Sequence, residues 1–289
     1  MLKKILILGA KGMLGSDLMK EFENIKPIGW DIEDIDITDE KDVKKKIGSI
    51  KPQVIINAAA YTNVDNCEIN KDLAMKVNGY AVGLLAQISK ETQAILVHYS
   101  TDYVFSGDKK EGYKEDDKPG PTLNIYGESK LLGERLLRKN ANKYYLIRTS
   151  WLYGKNGKNF VNTILKLSCE RDIIKVVCDQ YGRPTYTVDL VRRTNWILGK
   201  SLPFGIYHIT NRGRCSWYEF AKEIIANKYE GKEGYAKVTP VKTQEFPRPA
   251  KRPRYSELLN TKLPKMRHWR EALKEYLSEL ENYPEGITS

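Results

Sequence analysis

The chain reads as an α/β protein, with a doubly wound parallel sheet covered by helices on both faces and a smaller α/β second lobe. Three observations predict this. Short β-branched runs alternate with longer amphipathic stretches through the first half, as strands and helices do around a parallel sheet. The first run ends in a glycine-punctuated turn, Gly9-Ala10-Lys11-Gly12-Met13-Leu14-Gly15. Beyond about Trp151 the alternation weakens and Tyr, Arg and Pro become more frequent.

Each element follows from the local pattern. Ile5-Leu6-Ile7-Leu8 is a continuous apolar run, which suits a strand buried on both sides, and residues 13–23 after it have helical spacing. Further strands are expected at 27–30, 54–57, 94–99 and 144–148. Helices are expected at 40–47, started by Thr38-Asp39, and at 72–91, 125–139 and 159–171. In the later part, 205–209 reads as a strand and 217–226 as a helix. Residues 108–121, rich in charge, Gly and Pro, form a loop of the kind found at the rim of a site. The expected division is 1–150 with 186–209 for the sheet domain and 151–185 with 210–289 for the second lobe.

Composition narrows the class. With 289 residues, 41% apolar and 29% charged, the chain can bury a large core, and its apolar runs are too short for a membrane span. The first apolar run is also too short for a secretory signal, so a cytoplasmic location is expected. Cys67, Cys169, Cys178 and Cys215 lie far apart, without CxxC or Cys/His spacing, and are expected to be reduced. The net charge of +11 raises the question of nucleic acid, but most lysines are interleaved with acids as on a solvated surface, and no nucleic-acid partner is expected. The dense basic run from Arg248 to Arg254 is kept extended by its prolines and is able to touch an anion. No carboxylate cluster has metal-ligand spacing, so no metal ligand is assigned, and self-association as a homodimer is left open.

The glycine turn has the form of a Rossmann-type dinucleotide site. The first glycine, Gly9, permits the tight turn, Gly12 lets backbone approach a pyrophosphate, and Gly15 allows close packing of helix on strand. Lys11, Met13 and Leu14 lie between them at the helix N-terminus, which faces the phosphates. Asp31, just past the second strand, stands where this fold places the acid that binds the adenosine ribose. Such an acid repels a 2′-phosphate, but Lys11 can offset the repulsion, so the cofactor is read as NADPH or NADH without a preference. Asp36 and Ile37 are placed against the adenine, and Ala58, Ala59 and Ala60 let backbone come near the cofactor.

The reacting groups are sought at strand ends. Tyr126 and Lys130 lie one helical turn apart, so the ammonium can sit near the phenol oxygen, lower its pKa from about 10, and hold the nicotinamide ribose. A second YxxxK pair, Tyr218 and Lys222, has no such setting. The first pair follows the strand that ends in Ser100-Thr101-Asp102, and ligands bind beyond the carboxyl ends of such strands. Thr101 can then hydrogen-bond the carbonyl oxygen that Tyr126 protonates. His98, His208 and His268 are read as isolated from acids and nucleophiles and receive no chemical role.

These motifs, with Ala58-Ala59-Ala60-Tyr61-Thr62-Asn63-Val64-Asp65, Thr149-Ser150-Trp151-Leu152-Tyr153-Gly154, Asp179-Gln180-Tyr181-Gly182-Arg183-Pro184-Thr185 and Arg252-Pro253-Arg254-Tyr255-Ser256, resemble the extended short-chain dehydrogenase/reductases, in particular the dTDP-4-dehydrorhamnose reductase family. The resemblance runs through nearly the whole chain. It implies Thr101, Tyr126 and Lys130 as a catalytic triad that reduces the 4-keto group of a sugar nucleotide with hydride from NAD(P)H. It implies a sugar-nucleotide pocket at Thr62, Val64, Thr101, Asp102, Tyr103, Tyr126, Trp151 and Asn159. Arg183 and Arg252, cations in proline-containing loops, suit a diphosphate or brace the second lobe. The rivals are a related epimerase or dehydratase and a non-catalytic regulatory subunit resembling that of methionine adenosyltransferase. Dehydratases place Asp-Glu after the Thr, whereas Thr101 is followed by Asp102 and Tyr103, which favours reduction.

Overall fold

The computed structural model describes residues 4–229 and 236–281. In chain order the elements are β1 (Ile5–Leu8), α1 (Met13–Glu21), β2 (Ile28–Trp30), α2 (Glu40–Ile50), β3 (Val54–Asn57), α3 (Val64–Ile69), α4 (Lys71–Met75), α5 (Ala81–Glu91), β4 (Ile95–Thr101), α6 (Ile125–Asn140) and β5 (Tyr144–Thr149). They continue with β6 (Leu152–Tyr153), α7 (Phe160–Glu170), β7 (Ile173–Val177), β8 (Tyr181–Gly182), β9 (Thr185–Tyr186), α8 (Thr187–Lys200), β10 (Gly205–His208), β11 (Cys215–Ser216), α9 (Trp217–Lys228), β12 (Lys237–Val241) and α10 (Trp269–Glu281). A π turn, Lys76–Tyr80, joins α4 to α5.

The main sheet is parallel throughout, in the order β10-β5-β4-β3-β1-β2. Alternate residues of each strand serve opposite faces. Ile5, Ile7 and Val97 pack with Leu14 and Leu18 of α1 and Leu190 and Val191 of α8. Leu6, Leu8 and Leu96 pack with Val43 of α2, Leu85 of α5 and Leu137 of α6. Burial on both faces explains why these strands read as continuous apolar runs. The chain leaves β1 for β2 on one side and returns to β3 on the other, so the carboxyl ends of β1 and β3 flank a crevice of the kind that binds ligands.

A third core is dominated by aromatic rings. Tyr153, Tyr186, Phe220, Trp269 and Tyr276 bring together α7, α9, α10 and the start of α8. Helix α8 contributes Leu190 to the sheet core, while Tyr186 just before it belongs to the aromatic one. Small paired strands, β7 with β12 and β8 with β11, complete this region.

The strand and helix expectations hold in the first half, with differences at the ends and one interruption, since the helix expected at 72–91 is α4, the π turn and α5 in succession. Strand β4 runs on to Thr101 because Ser100 and Thr101 pair with Arg148 and Thr149 of β5. Helix α2 continues through Gly48 and Ser49 to Ile50, where Lys51 takes a left-handed conformation. The helices α3, α8 and α10 were not expected. Helix α8 begins without a side-chain cap, and α3 is six residues long, so neither leaves a strong mark in the sequence. All four cysteines are unpaired, with Cys67 and Cys215 buried. Among the described residues no helix is long and apolar enough to cross a membrane, and no group of three or more metal-ligating side chains occurs.

Candidate active site

At the crevice, β1 turns into α1 through Gly9, whose φ is +75°. A Cβ there would lie 2.8 Å from the Ala59 nitrogen, because the exit of β3 passes directly over the turn. A Cβ on Gly15 would lie 1.9 Å from the Gly9 carbonyl oxygen, so α1 seats itself on the turn only with glycine at that position. Gly12 is the N-cap of α1. It supplies no side-chain cap and no acid occupies the first turn, so the positive end of the helix at Met13, Leu14 and Gly15 suits a diphosphate.

A cleft of about 680 Å³ opens beside this turn, and Gly9, Lys11, Gly12, Asp31, Asp36, Ile37, Ala58, Ala59 and Ala60 all line it. Trp30, Ile32, Glu33, Ile35 and Tyr61 line it as well, unforeseen from sequence. The Asp31 carboxylate accepts hydrogen bonds from the Lys11 and Ile32 amides, both at 2.8 Å. The Lys11 ammonium lies 3.1 Å from Glu33, which raises the lysine pKa through a hydrogen bond and charge attraction. The cation expected to offset Asp31 therefore has a second acid of its own, and the rim is acidic. Asp36 is held below the usual carboxylate range by hydrogen bonds from the Thr38 hydroxyl and amide.

The second part of the site lies at the end of β4. Thr101 donates its hydroxyl hydrogen to Asp102 at 3.0 Å and accepts from the Tyr103 amide at 3.2 Å, capping a short 3-10 turn, Asp102–Val104. Helix α6 begins against that turn. Its N-cap, Asn124, accepts from the Gly127 amide at 2.8 Å, and a Cβ on Gly127 would lie 2.3 Å from the Tyr103 carbonyl oxygen. That contact sets the Tyr126 ring edge-on to Tyr103, with centroids 5.8 Å apart.

The electrostatics differ from the sequence expectation at one point. Desolvation pushes the Tyr126 phenol up, opposed by the Thr101 hydroxyl, and the Lys130 amine makes its hydrogen bond elsewhere, to the sheet. The Lys130 stem runs toward the sheet, where its amine donates to the Tyr99 carbonyl oxygen at 2.6 Å and lies 3.5 Å from His98 Nε2. One helical turn brings two backbones into register, but a four-carbon side chain goes where buried acceptors lie. Burial brings the Lys130 pKa down to about 8, against the favourable charge of Glu134. Asp102 is pushed up to about 7 by burial, against hydrogen bonds from Ser256 and Thr101, and its Oδ2 has no hydrogen-bond partner among the described residues.

The other sequence-selected residues lie around this centre and in the aromatic region. Thr62 is exposed and Val64 opens α3. Trp151, with φ of +49°, stacks face to face on Trp217 at 3.5 Å between centroids. Asn159 caps α7, accepting from the Asn162 amide at 3.0 Å and donating to the Gly154 carbonyl at 2.8 Å. Arg183 sends Nε and Nη2 to one oxygen of Glu257, at 2.9 and 2.6 Å. Arg252 lies 2.9 Å from Asp65 of α3. The second YxxxK pair stands apart, with the Lys222 amine 5.6 Å from the Tyr218 ring centroid.

Residues 3–282 match the family model described as RmlD substrate binding domain. The chain belongs to this family. It is 40% identical to a dTDP-4-dehydrorhamnose reductase of Aggregatibacter actinomycetemcomitans, over 94% of this chain and 97% of that one. It is 41% identical to the spore coat polysaccharide biosynthesis protein SpsK of Bacillus subtilis, over 96% and 97%. The crystal structure of a dTDP-4-dehydrorhamnose reductase from Bacillus anthracis in complex with NADP superposes with a TM-score of 0.91 at 42% identity, over 96% of this chain and all of that one.

Several residues that organise this family member's site carried no functional signal in the sequence. Asn78, in the π turn, donates to the Tyr61 carbonyl and accepts from its amide, both at 2.9 Å, and also reaches Ser129 at 3.1 Å. It thereby ties the loop after β3 to the helix that carries Tyr126. The Asn78-Gly79 pair inside a helical run was the available sign. Ser256 and the Lys251 carbonyl, which reach Asp102 and Asn124, come from a distant extended segment and left no local sign.

Proposed function

We propose that the protein reduces the 4-keto group of dTDP-4-dehydro-6-deoxy-L-mannose, also called dTDP-4-dehydro-L-rhamnose, to dTDP-L-rhamnose, using NADPH or NADH. The observation that carries this reading is the seating of the first turn of α6, with Tyr126, against the 3-10 turn that Thr101 caps at the carboxyl end of β4, the same edge of the sheet that bears the glycine turn. The names of the relatives support the choice of sugar nucleotide.

The residue chemistry is consistent with it. A phenol held above its ordinary pKa stays protonated at neutral pH, which is the form a general acid needs. Thr101 orients the carbonyl oxygen and Tyr126 donates the proton to it, while Lys130 holds the nicotinamide ribose. The uncapped start of α1 takes the diphosphate, Asp31 the adenosine ribose, and Asp36 with Ile37 the adenine. A bound reduced nicotinamide supplies the hydride. Tyr103 stands where a dehydratase needs a second acid, which favours reduction over loss of water.

We assign the sugar nucleotide to the region of Thr62, Val64, Asp102, Tyr103, Trp151, Asn159 and Arg183, between a dinucleotide domain (1–150 with 186–209) and a sugar-nucleotide lobe (151–185 with 210–289). The setting is cytoplasmic sugar-nucleotide synthesis. Purified protein mixed with the 4-keto sugar nucleotide and either NADPH or NADH should consume the reduced cofactor, followed by its absorbance. No oxidation with either cofactor would remove this function.

A further inference from the structure

On the sheet face beneath α6 lies a buried polar chain that the proton-donating groups leave unexplained. Asn57 at the end of β3 and His98 in β4 are register partners, and Lys130 of α6 reaches down to His98. All three are at least 98% buried, with 1%, 1% and 2% exposure. The Asn57 carboxamide is fixed at both ends. Its Oδ1 accepts from the Ala59 amide at 3.2 Å, and its Nδ2 lies 3.1 Å from His98 Nδ1. An amide nitrogen offers only hydrogens, so His98 Nδ1 is the acceptor and the imidazole proton sits on Nε2. That proton faces the Lys130 amine, 3.5 Å away.

An ammonium at this place sets N–H against N–H. A neutral imidazole has one ring lone pair, which cannot serve Asn57 and a charged Lys130 at once. The neutral amine removes the conflict, since Nε2–H can donate to its lone pair while an amine hydrogen still reaches the Tyr99 carbonyl oxygen. We propose that His98 is a positioning residue: locked by Asn57 as the Nε2–H tautomer, it disfavours the charged form of Lys130 and so sets the pH at which that lysine changes charge.

The charges around the lysine leave room for this effect. Glu134, one turn along α6, favours the ammonium, but its carboxylate is already held by the buried Arg148 and by Ser100. The π turn packed on α6 presents neutral Asn78 to neutral Ser129. Burial acts in the same sense as His98, and it also keeps His98 itself uncharged.

Where it concerns turnover, the inference rests on the reductase reading. Reduction gathers negative charge on the substrate oxygen and then on the phenol oxygen, so loss of the nearby cation as pH rises should slow it.

Two measurements test the proposal. In protein labelled with ¹⁵N at its histidines, the His98 ring should show a bare Nδ1 and a protonated Nε2 from about pH 6 to 9. A protonated Nδ1, or an imidazolium in that range, overturns the proposal. The signals are identified by their loss in His98→Gln, or by elimination with His208→Gln and His268→Gln should the first variant not fold. In steady-state reduction, His98→Gln can turn a carbonyl oxygen toward the ammonium and should move the alkaline fall in kcat upward by about one pH unit. A loss of kcat that is uniform across pH, with the fall unmoved, assigns His98 to packing alone and overturns the proposal. Should the reductase reading itself fail, the tautomer measurement still decides.

Discussion

The Arg252 guanidinium lies 2.9 Å from the Asp65 carboxylate, and the Ala250 amide donates to the same oxygen at 3.1 Å. Together they tie the extended segment around residues 248–254 to the first turn of α3. Asp65→Ala should leave Arg252 half-buried and unpaired, at a cost of about 1–2 kcal/mol. Limited trypsin digestion should then cut after Lys251 or Arg254, the basic residues of the segment not followed by proline, faster than in the parent protein. Equal cleavage rates and equal urea midpoints would show that the segment is held by other contacts.

Tyr126→Phe removes the proposed proton donor and little else, so kcat should fall by about 10²–10⁴-fold while the dinucleotide Kd stays within a few-fold. Tyr218→Phe should leave kcat within a factor of about two, since that tyrosine lies outside the site. The reverse ranking in steady-state assays would move the site to the other YxxxK pair.

The two helix glycines should respond differently. In Gly15→Ala the new carbon meets the Gly9 carbonyl at 1.9 Å, an approach that backbone cannot yield, and the turn should be lost with a large drop in Tm. In Gly12→Ala the nearest contact is 3.3 Å, so the fold should survive while dinucleotide affinity, read by fluorescence titration, falls by about tenfold or more. Unchanged affinity in Gly12→Ala would place the diphosphate elsewhere.

Stability should fall in acid through buried histidine. His208 lies 3.0 Å from the Leu259 carbonyl and 3.4 Å from Arg148, and burial with the arginine charge brings its pKa down to about 3 from an ordinary 6.5. Between those values the unfolded chain binds the proton and the native one does not. Stability from this group is therefore complete above about pH 6.5 and is lost as pH falls toward 3, by up to about 1.4 kcal/mol per unit. His208→Gln should flatten the pH dependence of the urea midpoint below pH 6.5. An identical slope in the variant would assign the acid sensitivity to other groups.

Much of the sheet domain is legible in the sequence because it rests on short-range rules. A strand buried on both faces must be apolar at every position, and the glycines at 9 and 15 answer to steric contacts that no other residue tolerates. The residues that aim the reacting groups obey no such rule. Lys130 turns toward Tyr99 and His98 because of a carbonyl acceptor and a ring nitrogen on a strand that precedes it by some thirty positions, as the separations of 31 and 32 show. Asn124 and Lys251 meet across a separation of 127. Helix α10, with Trp269, Ala272, Leu273, Tyr276 and Leu277 buried, has a clear helical pattern, but its aromatic residues read as general core rather than as a closing element.

The contacts from Lys251 to Asn124 and from Ser256 to Asp102 also bear on the order of synthesis. The ribosome completes the first five strands of the sheet long before it reaches either of those later residues. A nascent chain can therefore assemble its dinucleotide cleft while the start of α6 still lacks its last acceptor and Asp102 its neighbouring hydroxyl. Chains released early should hold the cofactor yet turn over poorly, so activity would report that translation has run through the far end of the segment.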